Sequence, residues 1–260
     1  MGQSKVLYSI GRVVCTPIYK LCYRYKAINN HTIPESGGCI LACNHISFAD
    51  PVLLGLCQKR RLFFMAKSEL FKNKFFASVI RALGAFPVER GAGDNKAIKT
   101  GEDLIKDGEV MTIFIEGGRT KTGDLMRPRS GCALVAQQMQ VPVIPACITV
   151  VGNPKHRFSK CVVHFGEPLT PEQLGLTPDG GRRELRNASN KIMDEIKKAG
   201  FSVSVDDFGA GYSSLNLLKN MPADVIKLDK DFLSSQEENK NQKERIIITS
   251  VIEMAKKLNI

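Results

Sequence analysis

Three short stretches of this chain carry side chains whose types and spacing suit proton transfer beside an anion. The first is Asn44-His45-Ile46-Ser47-Phe48-Ala49-Asp50-Pro51. His45 follows a short apolar run that reads as a buried strand. Asp50 comes five residues later, close enough for a tight turn to fold its carboxylate back onto the imidazole. A carboxylate on one ring nitrogen fixes the tautomer and stabilises the imidazolium, so that the other nitrogen can take a proton from an alcohol. An alcohol activated in this way can attack a thioester with no covalent enzyme intermediate. The same residues also spell a helix N-cap with proline at the first helical position and a packed core histidine. The two roles of Asp50 are compatible.

The second stretch is Gly84-Ala85-Phe86-Pro87-Val88-Glu89-Arg90-Gly91, read as a Gly-flanked loop in which Arg90 can grip a phosphate bidentately. The third is Phe114-Ile115-Glu116-Gly117-Gly118-Arg119-Thr120, directly after an apolar run. Its glycines let backbone N–H groups approach an anion, and Arg119 supplies charge. Glu116 can hold the loop or a substrate hydroxyl. A further run, Val141-Pro142-Val143-Ile144-Pro145, is stiff and apolar, and suits a groove wall or a strand entry better than chemistry.

Such loops need strands and helices to present them, and the hydrophobic periods supply candidates. Residues 5–23 read as an amphipathic basic helix kinked at Pro17, able to lie in a bilayer interface or to pack on its own domain. Short apolar runs predict strands over Cys39–Cys43, Leu62–Met65, Val110–Ile115, Val143–Val151 and Cys161–Phe165. Helical periods fall over a segment begun at Pro51, over Glu69–Leu83, Asn95–Lys106, Gly131–Gln138 and Gly181–Lys198. Strands alternating with helices predict an α/β domain around a central, mostly buried sheet flanked by helices.

Bulk composition narrows the function classes. At 43% hydrophobic and 24% charged residues, wholesale disorder is excluded. The net charge of +11 is uneven. Residues 1–199 hold 29 basic against 17 acidic side chains, a net of +12, while residues 200–260 hold 8 against 9, a net of −1. The first part therefore expects an anionic partner such as a phosphorylated substrate or an anionic lipid surface. Nucleic acid is not expected, because no binding motif or aromatic platform accompanies the charge. The 8 cysteines form no C-x-x-C pair and sit mostly in apolar runs, as small buried hydrophobes of a reducing compartment do. There is no secretory signal, and no apolar run of the length a membrane-spanning helix needs.

Asn-His-x4-Asp, Phe-Pro-Val-Glu-Arg, Phe-x-Glu-Gly-x-Arg and Val-Pro-x-Ile-Pro follow one another in that order. Together they resemble the glycerophospholipid acyltransferase family, specifically the 1-acylglycerol-3-phosphate acyltransferases, over residues 5–198. The resemblance implies a phospholipid-biosynthesis transferase that moves an acyl group from acyl-CoA or acyl carrier protein to lysophosphatidic acid, giving phosphatidic acid. It implies His45 as general base, Asp50 as its orienter, and Arg90 with Glu116-Gly117 as holders of the glycerol phosphate. Arg119, and Lys67 in Met65-Ala66-Lys67-Ser68-Glu69-Leu70-Phe71, would offer charge to the phosphate. No metal and no cofactor are implied, since the acyl donor is a substrate. Peripheral or monotopic seating on the cytoplasmic face of the cell membrane would suit the basic surface. An acceptor such as glycerol 3-phosphate or another lysophospholipid is the near alternative. The chain departs from the family pattern at Ile115, where proline is usual, and at Gly118, where Thr or Ser is usual. The first change is expected to loosen the loop before Glu116, and the second to remove one hydrogen bond.

The composition then changes. Phe201–Val205 and Ala223–Leu228 read as strands, Ser234–Lys243 as a polar loop and Arg245–Leu258 as a helix. The run Val205-Asp206-Asp207-Phe208-Gly209-Ala210-Gly211-Tyr212-Ser213-Ser214-Leu215, continued by Asp224-Val225-Ile226-Lys227-Leu228-Asp229, resembles the middle of an EAL domain, the cyclic di-GMP phosphodiesterase module. Residues 199–260 are accordingly expected to be a βαβα fragment of an EAL α/β barrel. Asp206 and Asp207 at a strand end would suit a hard metal, with Lys227 on the next strand. Two barrel strands cannot complete a site drawn from many strand ends, so no phosphodiesterase activity is expected. A regulatory module acting through this tail is the alternative of a different class.

Overall fold

Strand-length apolar runs separated by helices assemble into a seven-stranded mixed sheet within the unit formed by residues 1–200; residues 201–260 form a second compact unit. The computed structural model describes residues 5–88, 95–120, 124–151, 160–200, 204–208, 225–228, 249–250 and 253. In chain order the first unit contains α1 (Lys5–Tyr23), β1 (Lys26–Ile28), β2 (Cys39–Cys43), α2 (Asp50–Cys57), β3 (Leu62–Lys67), α3 (Lys74–Ala82) and β4 (Ala85–Val88). It continues through α4 (Asn95–Lys106), β5 (Val110–Phe114), α5 (Gly131–Met139), β6 (Val143–Val151), β7 (Lys160–Phe165), α6 (Pro171–Leu174) and α7 (Arg182–Gly200).

The strand order is β1-β7-β6-β2-β5-β3-β4. All neighbouring pairs are parallel except β6 with β7. β2 lies in the middle, and all five of its residues, Cys-Ile-Leu-Ala-Cys, are buried. A strand covered on both faces needs such an unbroken apolar run. Its alternate residues face opposite layers. Cys39, Leu41 and Cys43 join a core with Leu53 and Leu54 of α2 and with Tyr19 and Tyr23 of α1. α4, α5 and α7 form the other layer, with α7 lying against β6 and α5. Ala188, Ile192, Met193 and Ile196 of α7 are buried there.

The five expected strands run where the apolar periods place them, whereas the short β1 and α6 have no expected counterpart and two expected elements differ. The expected helix over Glu69–Leu83 is divided: Ser68–Phe71 is a 3-10 turn, and α3 begins after Asn73, whose side chain accepts the Phe76 N–H at 3.0 Å. Asn is among the best N-cap residues, so the helix starts where a cap is available. The expected Gly-flanked loop after Gly84 is instead the edge strand β4, paired with β3. Pro87 is tolerated there because an edge strand need not donate on its open side. Gly84 takes φ 96°, and a Cβ on it would lie 2.3 Å from the Leu62 carbonyl oxygen, so only glycine makes this turn. α1 is one helix with Pro17 inside it.

α1 turns its apolar stripe outward. Leu7, Ile10, Val13, Val14, Ile18 and Leu21 are exposed, Val13 by 74%. Tyr8, Arg12 and Tyr19 face the domain; Arg12 donates to the Leu56 and Lys59 carbonyls, and the Arg61 guanidinium lies over the Tyr8 ring. α3 likewise exposes Phe75, Phe76 and Val79, and buries only Ala77.

In the second unit β8 (Ser204–Phe208) and β9 (Val225–Leu228) form a parallel pair. The first strand sits later than the apolar period places it, so Asp206 and Asp207 lie within the strand rather than at its end. Phe201–Val203, the Gly-rich turn and the polar segment Ser234–Lys243 lie outside the described residues, as does most of the expected helix over Arg245–Leu258.

Candidate active site

Because β2, β3, β4 and β5 are parallel, their carboxyl ends share one edge of the sheet, where ligands of open α/β sheets bind. β2 delivers Asn44 and His45 to this edge, β5 delivers Ile115 and Glu116, β3 ends on Lys67, and β4 ends on Val88. Arg90, two residues further on, lies outside the described residues. Val141-Pro142 stands at the opposite end of the sheet, where the Pro142 carbonyl accepts the Ile40 N–H and β6 begins; its part is a strand entry.

Asn44 extends the sheet by one rung. Its carboxamide oxygen accepts the Ile148 N–H at 2.8 Å, and its amide donates to the Ile148 carbonyl at 2.9 Å. The side chain thereby imitates a strand's backbone, fully buried, and fixes where His45 leaves the sheet.

Asp50 opens α2, with Pro51 at the first turn. One carboxylate oxygen, Oδ2, accepts three N–H groups: His45 Nδ1 at 2.7 Å and the Ile46 and Ser47 amides at 2.7 and 2.8 Å. Asp50 is fully buried, while the His45 side chain is 14% exposed. An ionised carboxylate only accepts, so Nδ1 must carry the proton and Nε2 is left with its lone pair. The turn makes Asp50 the partner of the histidine but not the helix cap: Ala49 is the N-cap residue, no side chain caps it, and the Asp50 carboxylate points back to the Ile46 and Ser47 amides before the helix. The His45 ring is stacked on Phe114, centroids 3.8 Å apart and planes tilted by 13°.

The backbone of His45 is gripped from the loop after β5. Glu116 Oε1 accepts the His45 N–H at 2.9 Å, Glu116 Oε2 accepts the Met126 N–H at 2.7 Å, and the Thr120 N–H donates to the His45 carbonyl at 2.9 Å. Glu116 is buried, and both of its oxygens are engaged with backbone amides. Glu116→Ala is expected to cost about 1–3 kcal/mol for each amide left without an acceptor. Chemical denaturation reads this, and an unchanged midpoint would refute the clamp.

Gly117 has φ 72°, and a Cβ there would meet Arg129 Cγ at 3.1 Å. Ile115, in place of the family's proline, donates its N–H to the Cys43 carbonyl at 3.0 Å, a bond that proline cannot make. The isoleucine therefore ties the loop to β2, which corrects the expectation that it loosens the loop. The Arg119 guanidinium lies over the Phe48 ring, 3.4 Å from its centroid. Lys67 pairs with Glu69 at 2.7 Å, both half-exposed.

His45, Asp50, Glu116, Gly117 and Arg119 thus belong to two loops joined by direct contacts, and Lys67 stands on the same edge. No local pattern in the sequence marks Phe114 as a ring partner, Met126 as an amide donor, Phe48 as a seat for Arg119, or Arg129 as the neighbour of Gly117. Cys43, next to Asn44, is no nucleophile: burial, then neighbouring Cys147, Asp50 and Glu116, push its thiol well up. Burial likewise pushes Cys57, Cys132 and Cys147 to about 12, so these thiols stay protonated. Among the described residues no three His, Cys, Asp or Glu side chains are grouped to hold a metal ion.

Comparison with known proteins finds two families in the chain, whose boundary does not coincide with that between the two compact units. The family model described as Acyltransferase matches residues 24–149, and the one described as EAL domain matches residues 169–260. The chain is 31% identical over 176 residues to a 1-acyl-sn-glycerol-3-phosphate acyltransferase of Bacillus subtilis (strain 168), covering 66% of this chain and 87% of that one. It is 30% identical over 174 residues to the protein of the same description from Streptococcus pneumoniae (strain ATCC BAA-255 / R6), covering 65% and 64%. Its last third is 39% identical over 92 residues to the probable cyclic di-GMP phosphodiesterase PdeB of Escherichia coli (strain K12), covering 35% of this chain but only 17% of that protein. The crystal structure of the 1-acyl-sn-glycerophosphate (LPA) acyltransferase PlsC from Thermotoga maritima has the same fold, with a TM-score of 0.55 and 23% identity over 75% of this chain and 76% of that one.

Proposed function

The chain belongs to the acyltransferase family, and from that premise we propose that it transfers an acyl group from a thioester, acyl-CoA or acyl carrier protein, to the sn-2 hydroxyl of 1-acylglycerol-3-phosphate, giving phosphatidic acid. The observation that carries the reading is the 2.7 Å bond from His45 Nδ1 to the fully buried Asp50 carboxylate, at the sheet edge where ligands bind.

In this mechanism His45 Nε2 takes the proton of the acceptor hydroxyl as the oxygen attacks the thioester carbonyl. The resulting imidazolium is stabilised by Asp50. The tetrahedral intermediate collapses with cleavage of the C–S bond, and the imidazolium proton passes to the departing thiolate. A thiolate is a good leaving group because thiols are far more acidic than alcohols, a cysteine thiol having a pKa of about 8.5. Charge and protons balance over the cycle, and His45 is returned neutral. Lys67, Arg90 and Arg119 hold the acceptor's phosphate, whose charge suits the net +12 of residues 1–199, while Gly117, whose N–H donates to the Phe114 carbonyl at 2.9 Å, shapes the turn that carries Arg119. Glu116 acts through His45 and the 124–130 loop it draws in.

The substrate lies in a bilayer, and the outward apolar faces of α1 and α3 suit peripheral seating on an anionic membrane surface. No described helix is long and apolar enough to cross a membrane.

The test is acyl transfer on anionic phospholipid vesicles with three acceptors: lysophosphatidic acid, glycerol 3-phosphate and lysophosphatidylcholine. Lysophosphatidic acid is expected to give the highest kcat/KM with either donor. Preference for glycerol 3-phosphate would move the acceptor. Equal use of lysophosphatidylcholine, whose phosphate is a diester, would remove phosphate-monoester recognition.

A further inference from the structure

Phe48 stands between the two residues of the catalytic pair in sequence, yet its side chain is 71% exposed and takes no part in the bonds that hold His45 and Asp50. Its partner comes from the loop after β5: the Arg119 guanidinium sits 3.4 Å above its ring centroid, at stacking distance. Among the described residues Arg119 makes no ion pair, so the ring is what positions its charge. The loops cannot drift apart freely, because the Thr120 N–H, one residue on, is bonded to the His45 carbonyl.

A guanidinium stacked on a ring uses its π face, while its five N–H donors lie in its plane. Stacking therefore orders the long side chain without consuming a donor, and leaves the fork free for bidentate contact with a phosphate. We infer that Phe48 is a positioning residue: its ring is the platform that holds Arg119 ready for the acceptor's phosphate beside His45. This rests on the reading of Arg119 as a phosphate ligand, and the experiment separates the two.

In the full chain, kcat and KM for lysophosphatidic acid are measured on anionic vesicles at saturating thioester donor, for Phe48→Leu, Phe48→Trp, Phe48→Tyr, Arg119→Ala and the Phe48→Leu/Arg119→Ala pair. Leucine keeps an apolar side chain of similar reach but has no π face. An exposed cation–π contact corresponds to about a two- to five-fold change in affinity, so Phe48→Leu is expected to raise KM by that factor with kcat held. Tryptophan and tyrosine should keep the parent KM, and Phe48→Leu should add nothing once Arg119 is alanine. Vesicle co-sedimentation should be the same for all. Overturning results are a leucine variant with the parent KM, independent multiplication of the two losses, or a Phe48→Leu defect confined to kcat or to vesicle binding. If Arg119→Ala leaves KM unchanged, the phosphate role of Arg119 fails first and the platform falls with it.

Discussion

His45→Ala is expected to lower kcat by about 10²–10⁴-fold, the usual contribution of a positioned general base, with the fold intact. The fold should survive because His45 lies at the sheet edge, and its backbone bonds to Glu116 and Thr120 do not involve the ring. Asp50 should divide differently. Asp50→Asn can still accept the Ile46 and Ser47 amides, but loses the charge that stabilises an imidazolium, so a fall in kcat within the same range is expected with little loss of stability. Asp50→Ala removes the only oxygen that those two amides and Nδ1 share, and should cost about 1–3 kcal/mol per unpaired donor besides activity. Steady-state kinetics with thermal melts separate these effects. A His45→Ala enzyme with near-parental kcat would sink the mechanism. Loss of folding in Asp50→Asn would show that the charge serves the structure first.

The second large effect concerns where the chain can be cut. The EAL match begins at residue 169, but the compact first unit runs to Gly200. Residues 169–200 therefore resemble one family in sequence while packing in the domain of another. Leu169 bridges Val143 at the start of β6, and the Gln137 amide of α5 donates to the Thr177 and Gly180 carbonyls. α7 buries Ile192, Met193 and Ile196 against the sheet layer, and Leu174 and Leu176 are buried beside α6. Five side chains at about 1.5–3 kcal/mol each equal the whole stability of an ordinary domain, about 5–15 kcal/mol. A chain ending at Gly200 is expected to fold and to retain acyl transfer. A chain ending at Pro168 is expected not to fold, because β6 and α5 lose their cover. Circular dichroism and the acyl-transfer assay read both. A folded, active chain ending at Pro168 would mean that α7 belongs to the tail, and an inactive chain ending at Gly200 would give residues 201–260 a part in the reaction.

The amino-acid sequence by itself determined the elements whose information is local. Short, mostly apolar runs such as Cys39–Cys43 and Val110–Ile115 are too short for helices and suit strands, and the spacing of His45 and Asp50 lets one tight turn bring them together. The short edge strand Ala85–Val88 was hidden because four residues containing a proline carry no period, and its pairing comes from β3. Nor could the period of α1 say which way it faces, since an apolar stripe is equally at home against a core or a membrane; Tyr8, Arg12 and Tyr19 on the other face decide it by packing on α2. Tertiary structure alone decided the inside of the site. Glu116 meets the His45 amide 71 residues away, and Arg119 reaches Phe48, only because β2 and β5 are adjacent, parallel and in register. A contact of that kind depends on strand order, which the chemistry of neighbouring residues does not encode.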